Sequence, residues 1–266
     1  MSVRNIFNRS ALRTENELLY LESPEIARIP WVRHGFLTRK GGVSLPPYDT
    51  LNLGRNSSDD PKSVSRNRDL IAATFGFDRN RLILLDQRHG DGILVLKEPI
   101  HELPLPLEYD ALITNASDLF LGILTADCVP ILVVDPRRKV IAAIHAGRNG
   151  TALHVTSKCL KTMRDEFGSS IGDLRIAMGP SIGSCCYEID RPVFQSEWEP
   201  FSASAGEGRW RIDLARINLH QMEKEGVNQA QVDSIDLCTR CHPDLFFSYR
   251  GEGKTGRQLS FIGMTE

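Results

Sequence analysis

Residues 119 to 134, LFLGILTADCVPILVV, are apolar on both sides of a polar TADC, and this interrupted run constrains the fold more than any other feature of the chain. Apolar stretches of this length, rich in Ile, Leu and Val, read as two strands buried on both faces. The polar tetrapeptide between them reads as a kink kept for function. A turn-like DPRRK follows, and then VIAAIHAG, a further apolar strand that ends at His145 and a glycine. The strands on either side of that turn are expected to pair as a hairpin.

Downstream the periodicity changes. Leu153, Leu160, Met163 and Phe167 recur at helical spacing from Thr151 to Phe167, and Gly168 supplies a stop. A strand is expected over Leu174 to Met178. A second helix is expected from Asp213, its N-cap, to about Glu225, with Gly226 beyond it. Strands and helices mix without strict βαβ alternation, which favours an α+β fold with mixed sheets over a dinucleotide-binding one. Neither GxGxxG nor GxxxxGK[ST] occurs. With 266 residues, 41% of them hydrophobic, the chain can bury one sizeable core, and no clean linker divides it. The Pro-rich stretch KEPIHELPLPLEYD, 97 to 110, reads as an internal loop.

Charge and cysteine content narrow the partners. Lys and Arg number 32 against 34 Asp and Glu, so no global basic field exists to hold a nucleic-acid backbone. Six cysteines in a chain this long do not make a disulfide scaffold, and reduced thiols are expected. The N-terminus has scattered charges and no uninterrupted apolar segment of the kind a signal or membrane span needs. A cytoplasmic protein without a membrane partner is the expectation.

Three side chains sit in kinked or glycine-flanked contexts suited to metal ligation: His89 in DQRHGDG, Cys128 in TADCVP and His145 in AIHAGRNG. Zinc accepts imidazole nitrogen and thiolate sulfur, and a catalytic zinc has three protein ligands and one open position. Two His and one Cys meet that count, although the spacings match no local finger pattern. A His ending an apolar strand also serves as a hydrogen-bonded structural residue, and a Cys in an apolar run as inert core. Cys238 and Cys241 form a C-x-x-C. A zinc ribbon needs a second such pair, which the adjacent Cys185 and Cys186 do not provide, so all four read as structural thiols.

The strings HGFLTRKGGVS (34 to 44), LNLG (51 to 54), QRHG (87 to 90), DALIT (110 to 114), TADCVPIL (125 to 132), IHAGRNG (144 to 150), GPSIGSCCYEI (179 to 189), LCT (237 to 239), FFSYR (246 to 250) and TGR (255 to 257) occur in one order. In that order they resemble the YfiH-type family, long called laccase-domain or multicopper polyphenol oxidases and now understood as purine nucleoside phosphorylases. The resemblance implies a single domain built as a layered α/β/β/α sandwich. Residues 33–266 would form the catalytic domain, and residues 1–32 an N-terminal extension carrying the first strand. It implies zinc on His89, Cys128 and His145. Phosphate-dependent cleavage of adenosine, inosine, guanosine or methylthioadenosine to base and ribose 1-phosphate is implied with it, as is deamination of adenosine. The implied partners are a purine nucleoside and inorganic phosphate, with a homodimer as the candidate assembly.

Within that frame Cys128, His145 and Asp127 are the candidate catalytic residues. Asp127 is expected to orient a metal ligand or to act as a general acid or base. Arg39 of TRKGGVS is the candidate phosphate contact, because a guanidinium offers a planar fork to an anion. Asn52 is a candidate for a sugar or phosphate hydrogen bond, with a turn cap as its alternative. The chain departs from the family where HAGRNG replaces HAGWRG. Arg148 then stands in place of Trp, as a substitute cation, and Asn149 in place of Arg. Arg88 and Gly251 are further departures. Two rival chemistries remain open on the same residues: copper-dependent oxidation of phenols, and hydrolysis with Cys128 as nucleophile and His145 as its base.

Overall fold

The computed structural model describes residues 12–55, 57–97 and 107–265. From the N-terminal side come β1 (Leu12–Glu15), β2 (Leu18–Leu21), helix α1 (Pro24–Ala27) and β3 (Val32–Leu37), then α2 (Pro61–Phe75), β4 (Leu82–Leu84), β5 (Ile93–Leu96) and β6 (Ala111–Thr114). The middle of the chain supplies β7 (Phe120–Thr125), β8 (Val129–Asp135), β9 (Val140–Ala146), α3 (Arg148–Ala152), α4 (Val155–Phe167) and β10 (Arg175–Met178). The last third adds β11 (Glu188–Asp190), β12 (Ser202–Gly206), β13 (Arg209–Ile212), α5 (Leu214–Lys224), β14 (Val232–Ser234), α6 (Tyr249–Glu252) and β15 (Gln258–Met264).

Two six-stranded sheets, ordered β1-β2-β3-β15-β7-β4 and β14-β10-β8-β9-β6-β5, form the body, and β11-β13-β12 make a small third sheet. Both large sheets are mixed: β4 runs parallel to β7 and β5 parallel to β6, while β8 and β9 pair antiparallel as the expected hairpin. The interrupted apolar run does form two buried strands, but β7 and β8 belong to different sheets. The TADC kink is therefore where the chain crosses from one sheet to the other. A second crossing, between β4 and β5, carries the QRHG segment.

Alternation along the strands divides the core into layers. On β8, Leu132 and Val134 pack between the sheets against Phe36, Leu121, Ile123 and Ile262. Val129, Ile131 and Val133 point the other way, onto Val155, Cys159, Leu160 and Met163 of α4 and Leu214, Ile217 and Met222 of α5. The opposite outer face is covered by α2, whose Ile71 and Phe75 pack on Tyr20, Phe120, Leu259 and Phe261. The result is the expected α+β fold, a layered α/β/β/α sandwich with mixed sheets. Each fully buried aliphatic side chain in these layers contributes about 1.5–3 kcal/mol. Among the described residues no helix is long and apolar enough to cross a membrane.

Three local differences have physical causes. The helix expected from Thr151 to Phe167 is two helices, broken where His154 adopts φ +59°. It ends as expected at Gly168, whose left-handed conformation lets its N–H reach the carbonyls of Arg164 and Met163. Residues 12–32 are more than an extension with one strand: β1 and β2 form a hairpin that pairs Tyr20 with Leu37 and Leu21 with Phe36, and Leu18 and Leu21 are core residues. Residues 1–11 of the expected extension, and 98–106 of the expected Pro-rich loop, lie outside the described residues.

Candidate metal and substrate site

His89 and Cys128 stand in two of the segments that cross between the large sheets, β4 to β5 and β7 to β8, and His145 is the penultimate residue of β9. The parity of β9 turns His145 to the same side as Ile141 and Ala143, the interior between the sheets. The β8–β9 register pairs Pro130 with His145 and Val129 with Ala146, which draws Cys128 alongside Gly147. One ligand atom from each of His89, Cys128 and His145 lies within 4.8 Å of the others, and the two imidazoles meet edge to face at 4.8 Å between centroids. Gly147 is what permits this approach: a Cβ there would sit 2.9 Å from Cys128 Sγ and 3.2 Å from His89 Cδ2.

Asp110, at the start of β6, organises the niche. It is 1% exposed, and its carboxylate lies 2.8 Å from His145 Nδ1. It also accepts the backbone N–H groups of Arg88, His89 and Gly90 at 3.2, 2.9 and 2.7 Å. Three successive amides aimed at one carboxylate hold His89 at φ +58°, a conformation that costs about 1–3 kcal/mol without such support. Engaging Nδ1 of His145 leaves its Nε2 toward Cys128, as in carboxylate–histidine–metal arrangements. Gln87 anchors the same segment, donating to the Leu124 carbonyl and accepting the Leu124 N–H, both at 2.8 Å, and so pins QRHG to β7.

The charges in the niche are coupled. Burial raises the Cys128 thiol, but the imidazoles of His145 and His89 outweigh it and bring the thiol down to about 6. Burial lowers His145, but the Cys128 thiolate and the Asp110 carboxylate bring it up to about 9. Asp110 is pushed up by burial and pulled further down by its bonds to His145 and the backbone amides, so it stays ionised below the usual carboxylate range. The two shifts favour the imidazolium–thiolate pair, and a cation bound here would take the thiolate and displace the Nε2 proton of the oriented His145 ring.

Asp127 takes a different place from the one expected. It holds φ +97°, and its carboxylate accepts Thr239 Oγ1 at 2.6 Å, Ser248 Oγ at 2.7 Å and the Arg250 N–H at 2.6 Å. Three strong donors on a carboxylate only 8% exposed leave it no free role as an acid or base. Asp127 fixes the kink that presents Cys128, and the carboxylate that orients His145 is Asp110. Asp110 opens the DALIT string, where nothing local in the sequence marks it for a role except that it is a lone acid opening an apolar strand. A buried carboxylate requires partners.

Arg39 and Asn52 are likewise committed to the protein. The Arg39 guanidinium donates to the carbonyls of Asp49 and Pro243 at 2.7 and 2.8 Å, pairs with Glu252 at 2.7 Å and Asp49 Oδ1 at 3.3 Å, and lies over the Phe247 ring. A buried guanidinium must satisfy its donors internally, so it joins three loops instead of facing an anion. Asn52 is fully buried, donates to Ser57 and Asp59, and accepts from the N–H groups of Gly54 and Arg257. It is the turn cap of its alternative reading.

The cationic side chains that do adjoin the niche are Arg148 and Arg250, both of which act electrostatically on the half-buried Tyr187 phenol. Burial and the nearby Cys128 thiolate push that phenol up, so it stays protonated. Arg250 also stacks over the Tyr187 ring at 5.0 Å and donates to the Glu188 carbonyl. Tyr187 and Arg250 went unassigned in the sequence, although CCYEI and FFSYR contain them. Only tertiary packing brings them beside Cys128.

The four other cysteines of the two CC and C-x-x-C strings correct an expectation. Cys185, Cys186, Cys238 and Cys241 converge, with sulfurs within 4.8 Å of one another. The second pair that a local spacing rule could not find is supplied by a loop some fifty residues away in sequence, at 185–186.

Two imidazoles and one thiolate fit the donor preference of zinc, and Asp110 gives one imidazole its orientation. A family model described as multi-copper polyphenol oxidoreductase laccase matches residues 33–265. The chain is 33% identical over 245 residues to the Bacillus subtilis protein named purine nucleoside phosphorylase YlmD, covering 87% of this chain and 88% of that one. A purine nucleoside phosphorylase of Streptomyces coelicolor is 36% identical over 231 residues, covering 86% and 93%. The crystal structure of Bacillus licheniformis YfiH superposes with a TM-score of 0.87 at 33% identity, over 97% of this chain and all of the other.

Proposed function

Because the chain belongs to the multi-copper polyphenol oxidoreductase laccase family, in which its relatives carry the name purine nucleoside phosphorylase, we propose that it is a zinc-dependent purine nucleoside phosphorylase. Its substrates would be adenosine, inosine, guanosine or methylthioadenosine with inorganic phosphate, and adenosine deamination would be a second activity of the same site. The observation that carries this reading is the convergence of His89, Cys128 and His145 under the orienting carboxylate of Asp110.

Those three side chains would hold the zinc, which supplies positive charge and Lewis acidity at a position open to ligand. Arg148 and Arg250 take over the phosphate contact first expected of Arg39 and keep the anion beside the ribose. In phosphorolysis a phosphate oxygen bonds to the anomeric carbon, the bond from that carbon to the base breaks, and the departing purine takes a proton. Tyr187, held protonated by its surroundings, would supply it. Asp110 keeps the proton of His145 on Nδ1, and Asp127 keeps the Cys128 kink rigid.

A second reading draws on the order Cys128–His145–Asp110, which is also that of a thiol nucleophile, its base and an orienting acid. Metal occupancy separates the two, since a metal-bound thiolate is not free to attack. Copper oxidation of phenols has less support: among the described residues no His-rich cluster of the multicopper kind accompanies the site. The test is elemental analysis of the purified protein, then incubation with adenosine with and without phosphate. Adenine and ribose 1-phosphate that form only with phosphate, and vanish in Cys128→Ala, are the expected result. Adenosine left intact while a copper-loaded sample oxidises a phenol would overturn the reading.

A further inference from the structure

Cys185 and Cys186 lie on the loop that leaves β10, and Cys238 and Cys241 on the loop that follows β14. Backbone pairing brings these loops together: Ser181 and Cys238 form a parallel bridge, the Ser181 N–H donates to the Leu237 carbonyl, and the Thr239 N–H donates to the Ser181 carbonyl. Cys241 Sγ is 3.5 Å from Cys185 Sγ and 3.4 Å from Cys186 Sγ, and all four sulfurs fall within 4.8 Å of one another. The backbone N–H groups of Gly183 and Cys241 both point at Cys238 Sγ. Gly183 leaves room for the sulfurs, since a Cβ there would lie 3.3 Å from Cys185 Sγ.

These separations discriminate among the uses of four cysteines. A disulfide holds its sulfurs about 2 Å apart, and all six cysteines are free thiols. One tetrahedral ion with bonds of about 2.3 Å sets its four sulfurs about 3.8 Å apart, inside the span from 3.4 Å to the 4.8 Å limit seen here. An iron–sulfur cluster puts several core atoms between its cysteines and needs a wider cage.

We propose that Cys185, Cys186, Cys238 and Cys241 form a second, structural metal site that takes one thiophilic tetrahedral ion, zinc by preference, and clamps these two loops together. Binding displaces the thiol protons and forms four metal–sulfur bonds, with no change of oxidation state. The clamped loops carry Tyr187 and Thr239, the latter a donor to Asp127, so the site braces the far side of the candidate active site without contributing a ligand to it.

The experiment is metal analysis of protein purified under reducing conditions. Wild type is compared with Cys128→Ala and with the double variant Cys238→Ser/Cys241→Ser. The double variant is expected to hold one equivalent less than wild type, whatever the occupancy at His89, Cys128 and His145, and Cys128→Ala is expected to retain that equivalent. Mass analysis also identifies the ion as zinc or iron. Should the double variant fail to fold, wild type is alkylated before and after chelation and the peptides are mapped. Cys185, Cys186, Cys238 and Cys241 are expected to be protected together and released together. Equal metal content in wild type and a folded double variant, free alkylation of the four thiols in metal-replete protein, or a disulfide among them under reducing conditions would each overturn the proposal.

Discussion

Replacing Asp110 by Asn keeps its shape and removes one of two acceptors. If the amide oxygen stays toward His145 Nδ1 and the His89 N–H, the new NH2 faces the N–H groups of Gly90 and Arg88, which the carboxylate now receives at 2.7 and 3.2 Å. Each buried donor left without an acceptor costs about 1–3 kcal/mol. If the amide flips, the amides are served but the NH2 turns on His145 Nδ1. The proton then moves to Nε2, the nitrogen needed for metal. Either way, zinc affinity at this site is expected to fall about 10–100-fold, equivalent to about 1.4–2.7 kcal/mol. Competition against a chromogenic chelator measures the affinity, and urea unfolding of the metal-free protein measures the stability, expected to drop by about 1–3 kcal/mol from the Gly90 N–H alone, since the longer bond from the exposed Arg88 leaves a donor that water can reach. Acidity adds a signature with a definite sign. Because the folded carboxyl is held below its unfolded value, its contribution is present above that unfolded value and is lost as pH falls through the depressed one. Asp110→Asn should abolish that part of the acid sensitivity. Affinity within about twofold of wild type, with unchanged unfolding, would refute the role assigned to Asp110.

In chelated protein, alkylation of Cys128 by iodoacetamide should rise with a midpoint near its thiol value of about 6, and His145→Ala should move that midpoint toward alkaline pH. The stability that the charged pair gives the metal-free protein should be lost as pH falls through about 6 and as it rises through about 9, a window readable in Tm against pH. Gly147→Ala places a methyl 2.9 Å from Cys128 Sγ, and zinc affinity by chelator competition should weaken about tenfold in a protein that still folds. Arg39→Ala breaks a buried ion pair and should cost about 3 kcal/mol or more in urea unfolding, with Arg39→Lys a poor rescue because it cannot span Asp49, Pro243 and Glu252 at once. The KM for phosphate of the folded fraction should stay unchanged, and a rise confined to that KM would reinstate Arg39 as a phosphate contact.

What could be read from residues alone divides along physical lines. The β8–β9 hairpin, β10 and α5 were legible because their apolar spacing and capping residues act locally: Asp213 does cap α5, accepting the Arg216 N–H at 3.0 Å. The single helix over Thr151 to Phe167 was over-read because its apolar positions continue in phase across a break made by one backbone conformation at His154. The three candidate ligands could be named from their motifs, yet their convergence depends on two crossings between sheets that no periodicity announces. Arg39 misled because the chemistry that suits a guanidinium to phosphate also suits it to Glu252 and to carbonyls. The choice between these is made by burial, which the residue type does not encode. The cysteine quartet was missed for the opposite reason. A spacing rule looks for both halves in one register, and here the halves meet only after two distant loops have docked.

The crossing of QRHG from the β4 sheet to the β5 sheet has a consequence for assembly. An ion shared by His89, Cys128 and His145 would tie together two of the strips of backbone that join the walls of the sandwich. Such a centre is no local seed for folding, because its donors come from three segments that meet only once the strand order of the sheet is in place. Metal uptake at that end of the molecule would then mark the last step of maturation, and its loss the first sign of the walls parting.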